Sequence, residues 1–307
     1  MKLIKPYYNI IEQSPGLIGV YKQIELAART AYKSENKITD KSAIKMVNAL
    51  INNKHFSCLE HGTIYLDIPL WGEYLLPTVL DRYSHTPYSA IHFDPNCNHA
   101  YITTNARVLV ENNWVDDIQY LCEPTEFHEK RVTVKFVTSI GVGREILRHR
   151  RFSFLNESTR YCNYSKKKFD GELTFIIPTW VSDITKDDML EIVSSTNRSM
   201  FTWYCHLTQV EDDYLYLTSD LTNDTLTAEQ ARGILPLDLK SELVVTGFVK
   251  DWIHFFELRS HIASTGRPHP DLQLLADQLL AEFLDKNYIQ NEDFKKEISD
   301  KSEESSS

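Results

Sequence analysis

The chain has 307 residues, 42% hydrophobic and 25% charged, enough apolar material for one large core or two ordinary ones. Its 33 Lys and Arg face 43 Asp and Glu, and a net charge of −10 argues against a general nucleic-acid binder. No apolar run approaches the roughly 18–20 residues of a membrane span, and no long apolar segment of the secretory kind follows the first six residues. Five cysteines (Cys58, Cys97, Cys122, Cys162, Cys205) without close pairs make neither a disulfide scaffold nor a four-ligand zinc pattern. The expectation is a soluble, cytoplasmic protein with no metal, no membrane contact and no nucleic-acid partner.

Apolar residues recur at helical spacing over residues 17–32 (Ile18, Tyr21, Ile24, Ala27, Ala28, Ala31). They recur again through Ile44, Val47, Leu50 and Ile51, with Asp40 as a suitable N-cap. Ile64, Leu66 and Ile68 alternate as a strand that Pro69 closes. Residues 70–100 hold Pro77, Pro87 and Pro95 among His85, His92 and His99, and their pattern assigns no element. Residues 107–110 read as a strand or short helix, and 114–121 as a helix. Val132, Val134 and Phe136 alternate in a strand, and a helix over 142–151 follows. Residues 173–177 read as a buried strand stopped by Pro178. Thr185 or Asp187 caps a long helix over 189–207, with Asp212 and Asp213 marking its end or a break. A short helix covers 227–234. Residues 243–245 either open a strand or begin the helix that Trp252, Phe255, Phe256 and Arg259 imply. Residues 271–283 form a final amphipathic helix. The tail over 291–307, with six acids and three lysines, is expected to be disordered. The class is α+β, with helices packed around a modest central sheet.

Charge is unevenly spread. Residues 144–168 carry five Arg and three Lys against Glu145 and Glu157, a local net of +6. Arg144, Arg148 and Arg151 fall on one face of the expected helix, where like charges repel unless an anion sits among them. The bland reading is a solvated basic face at a helix C-terminus. Downstream, however, the 153–161 loop offers hydroxyls, an amide and backbone N–H groups, and guanidinium forks suit phosphate.

Arg148-His149-Arg150, seven residues, then Ser158 resembles the R-H-R-x7-S signature of flavin-dependent thymidylate synthases, and the likeness runs on through Thr159-Arg160-Tyr161. It reappears at Glu60-His61, at residues 231–236 and at Phe255-Phe256-Glu257-Leu258-Arg259, in the family's order. The resemblance implies a homotetramer binding FAD between subunits and methylating dUMP to dTMP, with methylenetetrahydrofolate as carbon donor and NADPH as reductant. It implies one catalytic domain over 1–290, with an insertion at about 70–130 between His61 and Arg148. By position it assigns Arg259 as catalytic, facing the uracil ring. It assigns Glu145, Arg148, Asn156, Glu157, Ser158, Thr159, Arg160 and Arg232 to dUMP. It assigns His61, Thr63, Arg148, His149, Arg150, Arg151, Asn156, Phe248, Val249, Lys250 and His254 to FAD, with Thr63 near the phosphates.

The chemistry agrees with the resemblance. Methylation at C5 of uracil needs a carbon nucleophile, and a permanent Arg charge stabilises the negative charge that develops on the ring. Arg259, beside Trp252, Phe255, Phe256 and Leu258, suits that role; its bland reading is a helix-terminal Arg in an ordinary salt bridge. Flavin supplies hydride transfer without a Rossmann fingerprint, and no Pro-Cys pair offers a thiolate nucleophile. Ser158 has no base beside it in sequence and reads as a positioning hydroxyl. His61 and His149 read equally as buried structural histidines. The family often has Asn where Phe248 and His254 stand and Arg where Lys250 stands, and Lys cannot reproduce a bidentate contact. The rival of a different class is a non-catalytic anion- or RNA-binding protein using the 144–168 segment.

Overall fold

The computed structural model describes residues 1–70, 75–96, 98–181, 197–219, 224–262 and 266–294. In chain order the elements are β1 (Lys2–Ile4), β2 (Tyr7–Ile11), α1 (Gly16–Tyr32), α2 (Ser42–Asn52), β3 (Thr63–Pro69), α3 (Leu75–Tyr83), β4 (Ala90–Phe93), β5 (His99–Asn105) and α4 (Ala106–Glu111). There follow β6 (Arg131–Ser139), α5 (Ile140–Ile146), β7 (Ser153–Asn156), β8 (Thr174–Ile176), α6 (Arg198–Leu217), α7 (Ala228–Ala231), β9 (Lys240–Phe248), α8 (Val249–Arg259) and α9 (Pro270–Asp285).

The class is mixed helix and sheet, as expected, but the described strands form three sheets and not one. An antiparallel four-stranded sheet has the order β2-β6-β9-β7, a three-stranded sheet the order β3-β5-β4, and β1 pairs with β8 in parallel. The long β6–β9 pairing, Arg131 opposite Phe248 through Ser139 opposite Lys240, is the frame of the molecule. Side chains alternate across it. Val132, Val134, Phe136, Leu243 and Val245 face a core completed by Trp252, Phe255 and Phe256 of α8 and by Leu272, Leu275, Leu279 and Phe283 of α9. Gly247 fits this strand because a Cβ there would overlap the Phe152 ring, which packs 4.5 Å from the Trp252 ring. The opposite face is polar. Thr133 and Thr246 share a hydrogen bond of 2.8 Å, and Lys135 and Glu242 form an ion pair beneath α1, which packs on β7 and β9.

Several elements differ from expectation for identifiable reasons. Asp40 caps nothing, because α2 starts at Ser42, whose hydroxyl accepts from the Thr39 N–H at 2.8 Å. Residues 107–110 resolve as α4, with Asn105 accepting from the Val108 N–H. Residues 115–120 form a 3-10 helix, not an α-helix. Asp212 and Asp213 do not break α6, which runs to Leu217. The ambiguous 243–245 stretch is the middle of β9, and α8 begins only after it. Thr227 starts α7 with a capping box to Gln230. The expected caps Thr185 and Asp187, Cys97, and the tail from residue 295 lie outside the described residues. Among those described, no helix is long and apolar enough to cross a membrane, and no group of three or more His, Cys, Asp or Glu could hold a metal.

Candidate active site

The end of β6 delivers the signature. Ser139 accepts a hydrogen bond from the Val142 N–H at 3.2 Å and caps α5. The helix ends at Ile146, not at the expected residue 151. Beyond it the backbone tightens into three-residue turns, with Arg148 N–H donating to Glu145 O and His149 N–H to Ile146 O. The chain must reverse within a few residues to enter β7 at Ser153. That tightening dissolves the expected ridge of Arg144, Arg148 and Arg151 and relieves its repulsion. Arg144, Arg148 and Arg150 are exposed, and none of the three has an ion-pair partner among the described residues. Arg151 is 78% exposed and lies 3.8 Å from the buried Asp251 carboxylate.

Arg259, the last residue of α8, turns back toward this segment. Its Nε–H donates to His149 Nε2 at 3.1 Å, and its Nη1 donates to Glu145 Oε2 at 3.2 Å. His149 is 8% exposed and stacks edge-on against Phe255 with centroids 5.0 Å apart. Burial first, then the charge of Arg259 and then His254, push the His149 pKa down to about 4. The imidazole is therefore neutral near pH 7, with Nε2 as the acceptor that Arg259 requires. The Arg259 side chain is 18% exposed, so its charge sits in a partly dry setting with one carboxylate and one neutral ring. His254 is half exposed, with its Nδ1 3.6 Å from Glu257 and its ring 6.4 Å from that of His149.

Around the start of α8, the buried Phe248 ring lies 5.1 Å from Lys250 Nζ and 5.7 Å from Arg131 Cζ. The Val249 N–H donates to Lys130 O, and Lys250 pairs with Glu129 at 2.9 Å. These two contacts tie the end of the expected insertion to two of the positions assigned to FAD.

The 153–161 loop forms a second group. A cavity of about 220 Å³ is lined by Arg144, Asn156, Glu157, Thr159, Ser241 and neighbours on α5 and β9. Asn156, at the end of β7, is exposed. Glu157 is buried, and its carboxylate accepts from Lys240 Nζ at 2.8 Å and from Tyr164 OH at 3.1 Å. Its side chain is thus committed to contacts within the protein. The Ser158 N–H donates to Ala31 O at 2.9 Å and pins the loop to α1. Arg160 pairs with Glu229 at 2.7 Å, next to the exposed Arg232. The Arg259 group and the Arg160–Glu229 pair share no hydrogen bond or ion pair among the described residues.

His61 and Thr63 are placed elsewhere. His61 is fully buried, with Nδ1 2.8 Å from Thr246 Oγ1, and burial followed by Arg131 pushes its pKa down to about 3. With no exposed surface in this chain it sits in the core. Thr63 is buried at the start of β3 and lines a separate cavity of about 440 Å³, which none of residues 148–151 reaches. Sequence reasoning missed Arg131, Lys240 and Asp251. The legible signal for the first two is a charge set in an otherwise apolar strand.

The model of the family described as thymidylate synthase complementing protein (Thy1) matches residues 97–286, more than half of the chain. The chain is 30% identical over 151 residues to a probable flavin-dependent thymidylate synthase of Paramecium bursaria Chlorella virus 1, covering 48% of this chain and 64% of the viral protein. It is 26% identical over 149 residues to the flavin-dependent thymidylate synthase of Synechocystis sp., covering 48% of this chain and 65% of that protein. The chain thus spans just under two thirds of the length of these relatives. A solved UMP/dUMP methylase, PolB from Streptomyces cacaoi, aligns over 93% of this chain and 92% of its own at 16% identity, with a TM-score of 0.39, too loose a likeness to carry weight. The matched span contains the whole Arg148–Ser158 signature, Arg232 and Arg259, and on that match the chain belongs to the Thy1 family, the thymidylate synthase complementing proteins.

Proposed function

We propose that this chain is a flavin-dependent thymidylate synthase that methylates dUMP to dTMP, with methylenetetrahydrofolate as carbon donor, NADPH as reductant and FAD as cofactor. The observation that carries the reading is Arg259, oriented by the neutral His149 and by Glu145 at the signature turn. Two-point attachment fixes the guanidinium plane and leaves its remaining N–H groups to a carbonyl of the pyrimidine. Because His149 is uncharged, only Glu145 offsets the arginine, and a positive field remains where the ring gains electron density.

The residues present fit FAD. Arg148 and Arg150 are exposed without ion-pair partners among the described residues, and forked guanidinium groups of that kind match a pyrophosphate. Arg151, Asn156, Phe248, Val249, Lys250 and His254 complete the proposed contacts, and His149 serves them through Arg259. Bound flavin supplies the hydride chemistry that no side chain here provides. Arg144, Asn156, Glu157, Thr159 and Ser241 line the cavity proposed for dUMP, which the same chain's Arg259 does not line; Ser158, Arg160 and Arg232 keep their proposed dUMP roles outside that lining, and the Glu157 side chain is tied to Lys240. Functioning as a homotetramer in the cytoplasm belongs to the same proposal.

The test combines a spectrum with turnover. Purified protein supplied with FAD is expected to show flavin absorbance and to oxidise NADPH only when dUMP is present, with dCMP not replacing it. No flavin uptake together with no dUMP-dependent oxidation would reject the reading.

A further inference from the structure

The larger cavity, about 440 Å³, lies between the start of α1, β3, β6 and residues 121–124, and neither Glu145, His149 nor Arg259 lines it. Its volume is in the usual range for small-molecule sites, roughly 300–1,000 Å³. Arg131 stands in its wall and is 6% exposed. The guanidinium donates to Glu60 O at 3.1 Å and Thr63 Oγ1 at 3.3 Å, both neutral, and its Nε has no partner. Lys130, its neighbour on the same wall, has its ammonium 3.7 Å from the centroid of Tyr288. Among the described residues neither cation has a carboxylate at ion-pair distance. Lys130 is exposed, but Arg131 is a buried cation answered only by dipoles, which is costly, and such groups are normally paired or bind an anion.

The two carboxylates on the wall are already engaged. Glu123 Oε1 accepts from the Gly16 N–H at 3.0 Å, at the start of α1, and Glu12 pairs with Lys286 at 3.3 Å. Neither carboxylate lies at ion-pair distance from Arg131 or Lys130, so no acidic side chain among the described residues sits directly against these two cations. A fork, an ammonium and the Thr63 hydroxyl together match a tetrahedral oxyanion. The rest of the wall includes Ile10, Val20, Leu121 and the ring of Tyr288, apolar surface for an organic body.

We infer that this cavity is a binding site for a small phosphorylated ligand, its phosphate held by Arg131, Lys130 and Thr63 and its organic part against Val20, Leu121 and Tyr288. The site is separate from the Arg259 group and does not depend on the function proposed above. Burial lowers the pKa of Lys130, which a bound phosphate would raise again.

Equilibrium dialysis of FAD-saturated protein with inorganic phosphate, pyrophosphate and AMP tests it at fixed ionic strength. The expected result is saturable binding, tightest for AMP, weakened about ten-fold in Lys130→Gln and further in Arg131→Gln. Lys130→Gln keeps the test meaningful if the buried Arg131 variant does not fold. Hydrogen exchange is expected to slow on AMP addition at residues 10–16 and 130–133. Three outcomes would overturn the inference: no binding of any probe, equal binding in Lys130→Gln, or loss of binding on saturation with FAD, which would make the cavity part of the flavin pocket. If the protein takes up no FAD, the function proposed above fails and the dialysis is read on the flavin-free protein.

Discussion

Arg259 is useful because of what its neighbours do not do. A protonated histidine at position 149 would repel it and withdraw the acceptor at Nε2. Burial prevents that by holding the imidazole pKa near 4. The folded value lies below the ordinary 6.5, so the contribution of His149 to stability is complete above about pH 6.5 and is lost as pH falls toward 4. Turnover follows the titration of the folded protein itself and is expected to fall only as pH approaches about 4, which a pH–rate profile checks. His149→Leu, which removes the acceptor, is expected to lower kcat at least about ten-fold, whereas His149→Gln, which keeps one, lowers it less. Equal losses in the two would show that the hydrogen bond to Arg259 is not what matters. The second charged cluster is structural. Burial alone would raise the Glu242 pKa, yet Lys240, Lys135 and Lys33 together hold it down at about 2. Its stabilisation is therefore full above about pH 4.5 and lost as pH falls toward 2. Glu242→Gln leaves buried lysines short of a partner and is expected to cost about 3 kcal/mol in urea unfolding.

Among the elements, those that bury one clear stripe were legible. The periodicity of α1 and α9 and the alternation in β6 gave their positions to within a few residues, because the burial that selects the pattern is local to each. β9 was ambiguous because it runs straight into α8, and apolar residues on both sides of the junction share one core. α5 was read too long because spacing alone does not reveal the reversal into β7. β1 and β2, three and five residues long, carry too little periodicity to stand out, and their partners lie more than a hundred residues away. Of the three-stranded sheet only β3 was legible, and β4 and β5 escaped notice because prolines and histidines of residues 70–100 interrupt the pattern around them. One glycine shows how tightly these elements meet. Gly247→Ala would drive a methyl into the Phe152 ring between β9 and the signature turn, and the expected loss is about 1–3 kcal/mol. A thermal melt unchanged from wild type would mean that Phe152 moves freely, contrary to its packing on Trp252 and Phe255.

For the molecule as a whole, the site residues were legible in sequence as a signature, but not their partnerships. Arg259 and His149 are 110 positions apart, and only the β6–β9 frame brings their segments together. Glu157 and His61 read as ligands yet face inward: Glu157 is drawn in by Lys240 and Tyr164 beside a loop pinned to α1 at residue 158, and His61 ends a 3-10 helix against Thr246. At the end of the expected insertion, Glu129 and Lys130 bond to Lys250 and Val249 of α8. The global charge of −10 likewise hides exposed arginines at 144, 148, 150 and 151 that give one region a basic surface. The central claim is that Arg259 serves the chemistry and not the holding of cofactor. The direct measurement is dTMP formation from dUMP by Arg259→Ala beside wild type, each normalised to bound flavin. Flavin occupancy close to wild type with dTMP formation reduced at least a hundred-fold is the expected result. Full dTMP formation per flavin in the variant would contradict it.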